Sequence, residues 1–62
     1  MLRKGDLVKW RSTNQSGEQV FGVALENQKE DSKRILVRFL DFGKPAREPI
    51  EWVQLVSRGN QG

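Results

Sequence analysis

The chain has 62 residues, with 11 lysines and arginines against 8 aspartates and glutamates for a formal net charge of +3, and it has neither cysteine nor histidine. That length makes one domain with a small core, and the two missing residue types exclude disulfides, thiolate or imidazole metal sites and the commonest catalytic bases and nucleophiles. No run approaches the roughly 20 apolar residues that span a bilayer, and no apolar stretch follows the basic start MLRKGD as it would in a secretory signal, so a soluble cytoplasmic protein is expected.

Short apolar blocks separated by turn chemistry predict an all-β domain. In the first block, Leu7 to Trp10, alternation puts Val8 and Trp10 on one face and Lys9 and Arg11 on the other. The polar stretch Ser12 to Glu18, STNQSGE, reads as a loop or wide hairpin. The second block, Gln19 to Glu26, places Phe21, Val23 and Leu25 on one face. Val20, Gly22 and Ala24 share the other, where the small residues invite close approach by a neighbouring strand. After the charged turn NQKEDS, the third block, Lys33 to Leu40, has Ile35, Val37 and Phe39 in phase with Arg38 opposite. DFGKP, Asp41 to Pro45, fits a tight turn, with Gly43 free to take a positive φ. Ala46 to Pro49 reads as a short edge strand, because Pro49 cannot donate to a ladder. Ile50 to Val53 fits one 3-10 turn, and Gln54 to Ser57 a last strand. RGNQG, residues 58–62, has nothing to bury and reads as a flexible tail behind a domain of residues 1–57. Five short strands on short loops suggest a small closed barrel, since closure removes edges that so small a protein cannot cover. The competing architecture is an open three-stranded sheet that dimerises.

The chemistry of catalysis is sparse. Ser12, Ser16, Ser32 and Ser57 lie in polar loops or near the tail without an evident base. Asp41 could pair with Glu48 or Glu51, but carboxylates beside turns are ordinarily solvated or capping groups. Glycine-rich phosphate loops and calcium-binding loops are absent. A binding protein with no catalytic residues, no cofactor and no metal is the expectation.

What remains is a set of aromatics: Trp10, Phe21, Phe39, Phe42 and Trp52. Phe21 and Phe39 sit mid-strand and serve a core as readily as a surface. Trp10 ends a strand at a polar loop and Phe42 lies inside a turn, which places both near one rim, where function concentrates.

The segment VRFLDFGKPAREPIEWVQLV resembles the distal half of a Tudor domain, and KGDLVKW and FGVAL fit the front half. That resemblance, over about Lys4 to Ser57, implies a five-stranded SH3-like (Tudor-like) barrel with one 3-10 turn before the last strand. It also implies that Trp10, Phe21, Phe39 and Phe42 stand at the four walls of a cage for methylated side chains, which would hold cations by cation–π attraction. Lys44 departs from the asparagine often found there in methylarginine readers, and phenylalanines replace the expected rim tyrosines. The ending EPIEWVQLVSR is similar to the close of Tudor-like RNA-polymerase-interaction domains of bacterial transcription regulators, in which a barrel edge docks by strand addition. WVQLV also looks like the last strand of true SH3 domains, which implies Trp52 on a peptide-binding face. Small phage proteins and a compact peripheral subunit of photosystem I share the layout.

The expected function is protein–protein interaction, as a small bacterial or phage adaptor that is monomeric or weakly self-associating. Trp10, Phe42 and Trp52 would be its anchors, Phe21 and Phe39 their supports, and Lys44 and Arg47 the charges of the rim. The alternative partner is nucleic acid, held by Lys9, Arg11, Arg38, Lys44 and Arg47 gathered beside Phe42. A structural subunit of a larger assembly is a third reading.

Overall fold

Apolar residues alternating with polar ones set five strands: β1 (Leu7–Thr13), β2 (Gln19–Ala24), β3 (Arg34–Phe39), β4 (Pro45–Pro49) and β5 (Val53–Ser57). A 3-10 turn, Ile50–Trp52, stands between β4 and β5. The structure, a computed structural model, describes residues 1–59. Every neighbouring pair is antiparallel, in the order β4-β3-β2-β1-β5. Strands β1 to β4 form a meander, and β5 returns to the far side of β1. The all-β class, the five strands and the 3-10 turn agree with the sequence. β1 runs further than expected because a register irregularity between Lys9 and Thr13 lets pairing resume at the loop.

One face of the sheet supplies the core: Val8, Val20, Ala24, Ile35, Val37, Phe39 and Val53, closed at one end by Leu2. Ile35 on β3 and Val53 on β5 belong to this one cluster, although a flat sheet would hold their strands ~14 Å apart. The sheet therefore curls. Connectivity requires the same thing. Four peptide units carry the chain from Pro49 at the end of β4 to Val53 at the start of β5, a reach of at most ~14 Å. The same two strands would be ~19 Å apart if the sheet were flat.

The curl stops short of the expected closed barrel. β4 and β5 share no ladder, so the sheet has two edges among the described residues. β4 begins with Pro45 and ends with Pro49, and those residues have no N–H to offer a second neighbour. At the centre of the curl Gly22 faces Phe39. A Cβ on Gly22 would lie 2.8 Å from the Arg38 carbonyl oxygen and 2.8 Å from Val37 Cγ1, the close approach that the small residues of β2 foreshadow.

The chain ends meet at Asp6, which is 1% exposed. Its carboxylate accepts from the backbone N–H of Arg3 (2.9 Å), from Arg58 Nη1 (3.0 Å) and from the backbone N–H of Gly59 (3.2 Å). Arg58 also donates to the Met1 carbonyl. The segment expected to be a flexible tail thus begins with two residues bonded to the domain; its remainder, 60–62, lies outside the described residues.

Candidate functional site

The loops that end β1 and β3 meet at one rim. β3 delivers Phe39 to the core at 1% exposure. The turn after it is closed by the Phe42 N–H donating to the Phe39 carbonyl (3.2 Å), with Gly43 at φ 77°. Phe42 then lies over Phe39 and Trp10. The centroid separations are 5.3 Å for Trp10–Phe39, 6.2 Å for Trp10–Phe42 and 6.0 Å for Phe39–Phe42, all tilted or edge-to-face. This is the preferred geometry of aromatic packing, and it leaves Phe42 58% exposed on an aromatic base.

Of the four walls that the Tudor resemblance implies, the structure brings three together, Trp10, Phe39 and Phe42. Phe21 is not among them. Gly22 is opposite Phe39 on the inner face, so Phe21, next along β2, points to the outer face, where it stands opposite Lys9.

Beside Phe42 is a groove of about 520 Å³ lined by Trp10, Thr13, Asn14, Gln15, Ser16 and Phe42. Its loop wall is built by Asn14, whose Oδ1 accepts from the N–H groups of Ser16 (2.9 Å) and Glu18 (3.0 Å). Gly17 at φ 80° completes the turn. Trp10 Nε1 is buried with no acceptor among the described residues. Such a donor costs about 1–3 kcal/mol and is a feature to be explained where it occurs. The end of β1 also borders a second groove, of about 330 Å³, lined by Arg11, Ser12, Glu51 and Trp52. Trp52, at the end of the 3-10 turn, is also 58% exposed. The same strand end therefore carries an exposed aromatic on each of its two grooves.

The structure distributes the expected rim charges differently. Lys44 is exposed in the turn after Phe42. Arg47 stands opposite Leu36 on β4 and is ion-paired to Glu26 at 3.0 Å, in the middle of the strand rather than at the rim. Of the basic set expected beside Phe42, Lys9, Arg38 and Arg47 lie on the outer face of the sheet, and Arg11 lines the Trp52 groove. Arg34, which the sequence reading left out, joins the outer face opposite Pro49. Its phase with Arg38 in the third block is the sequence signal that could have found it.

The carboxyl of Asp6 is perturbed. Burial pushes its pKa up, but the N–H donors of Arg3 and Gly59 and the Arg58 guanidinium outweigh burial and hold it below the ordinary value. Beside it is a polar hollow of about 650 Å³ bordered by Arg3, Lys4, Asn27 and Gln28. Its walls are stitched by the Leu2 N–H to Gln28 Oε1 and the Lys4 N–H to Asn27 Oδ1, so the group acts as a clasp for the chain ends. Among the described residues no three acidic side chains come together to hold a metal ion, and no helix is long and apolar enough to cross a membrane. Compared with known protein families, curated proteins and solved structures, the chain matches none.

Proposed function

We propose that the chain is a non-catalytic protein-binding module, an SH3-like barrel in the making of its curl, that grips a partner at its aromatic rim. The meander with β5 returned to β1, the 3-10 turn before β5 and the curl forced by the Pro49–Val53 connection all support that fold type. The observation that carries the function is Phe42: a ring 58% exposed, fixed from beneath by Trp10 and Phe39, and bordering a groove. An exposed aromatic whose rotamer is already set loses little entropy on binding, which is what an interface anchor requires. Trp52, across the end of β1, supplies a second anchor.

The test is selection of a random peptide library on immobilised protein, with the Phe42→Ala and Trp52→Ser variants run in parallel. Both side chains are largely exposed, so both variants should fold, as circular dichroism will check. Peptides enriched on the parent chain should lose about 30-fold in affinity, ~2 kcal/mol, when Phe42 is truncated. Selection of the same peptides by all three proteins would refute the rim as the binding surface.

A further inference from the structure

The strand register sorts charge in a way that the linear sequence conceals. Within the strands the acidic residue is Glu48, and the basic ones are Lys9, Arg11, Arg34, Arg38 and Arg47. Glu48 stands opposite buried Ile35 and so belongs to the inner side. Lys9 is opposite Phe21, Arg38 opposite Val23, Arg47 opposite Leu36 and Arg34 opposite Pro49, all on the outer side. The outer face therefore carries four cations and no carboxylate from any strand. Glu26 reaches in from the loop after β2 to pair with Arg47. Lys9, Arg34 and Arg38 make no ion pair among the described residues.

Between these cations is a half-buried apolar strip of Leu7, Phe21, Val23 and Leu36. β2 lies between β1 and β3, and Lys9 is level with Phe21 and Arg38 with Val23, so the two cations flank the Phe21–Val23 strip at a separation of ~12 Å. Arg34 extends the basic track ~13 Å along β3. A face kept merely solvated mixes both signs; one sign arranged around an aromatic ring is complementary to a chain of phosphates with bases that stack.

We infer that the outer face of the sheet is a second binding surface, for single-stranded nucleic acid, with Phe21 stacking a base and Lys9, Arg34 and Arg38 holding phosphates. It lies on the opposite side of β2 from Phe39 and does not use Phe42 or Trp52, so it stands or falls independently of the rim.

Fluorescence anisotropy with a labelled single strand of about 12 nucleotides and a duplex of equal length tests it, at salt from about 50 to about 200 mM. The single strand should bind with a log–log salt slope of about −2, as three phosphate contacts require. Arg38→Glu should weaken it at least about 10-fold, and Phe21→Leu, which keeps an apolar side chain but removes the ring, about 5- to 10-fold. Phe42→Ala should leave it unchanged. No binding at the lowest salt overturns the inference. So does equal competition by polyglutamate, which would show unspecific charge attraction. A duplex bound as tightly, with no loss in Phe21→Leu, overturns the single-strand assignment.

Discussion

Gly22 is the residue on which the curl and the rim both turn. It lets β2 and β3 approach until an added Cβ would meet the Arg38 carbonyl and Val37 Cγ1, with Phe39 Cδ1 at 3.0 Å. Two of those neighbours are backbone or a β-branched core side chain, which cannot swing away. Gly22→Ala should therefore lower stability by about 1–3 kcal/mol through overpacking, seen as a lower urea midpoint. Because Phe39 underlies Trp10, the folded variant should also show altered tryptophan emission. A midpoint equal to the parent's would mean that the sheet relaxes freely there. The pairing of Gly22 with Phe39 also explains what the sequence could not decide about its mid-strand aromatics. Alternation phases Phe21 and Phe39 within their own strands. Which phase faces inward depends on the register between strands, and only there do the two rings part to opposite faces. Trp10 and Phe42, by contrast, were legible as neighbours, because a polar loop follows the one and a turn holds the other at the same end of the sheet, although β1 runs on past Trp10 to Thr13.

At the scale of elements, the β1–β2 loop is ordered by one side chain. Asn14 Oδ1 occupies two N–H groups that would otherwise face solvent, and the Asn14 N–H donates to the Glu18 carbonyl at 2.9 Å. Asn14→Ala should cost about 1 kcal/mol. Amide exchange at Ser16 and Glu18 should quicken while the β2–β3 ladder keeps its protection. Partner affinity at the rim should fall with it, since this loop walls the Phe42 groove, and oligonucleotide binding at the outer face should not. A loop that exchanges no faster would assign its order to Gly17 and the backbone alone. The elements themselves were readable from pattern and turn chemistry, including the 3-10 turn. Closure was not. It depends on how far two distant edges converge, and Pro49, read as an edge signal, lies with Pro45 on the β4 edge that stays unpaired.

For the molecule as a whole, Asp6 joins both ends of the chain to the start of β1. Residues past Ser57 have no apolar side chain to bury, so the sequence offers no packing reason for Arg58 and Gly59 to be held. The reason is a buried carboxylate 52 residues away from Arg58. The fit at Gly59 is close, since any side chain there would collide with the carbonyl of Gly5. The Arg58 side chain is 50% exposed, so its charge is partly screened, and the backbone donors carry much of the stabilisation of the anion. Because the folded pKa of Asp6 is lowered, its contribution is fully present above the ordinary aspartate value of about 3.9. Below that pH the unfolded chain takes up a proton first and the contribution shrinks; it is gone once the folded carboxyl is protonated as well. Asp6→Asn keeps the shape but removes the charge. Its stability should lie below the parent's from neutral pH down to about 4, and the two curves should converge in stronger acid. Urea unfolding of both chains across that range measures the difference directly, cancelling the other carboxylates. A constant gap down to the most acid condition would mean that the clasp is held by shape rather than by charge. A smaller neutral-pH gap in an Arg58→Gln background would measure the guanidinium's share, and the gap that remains the share of the two backbone donors.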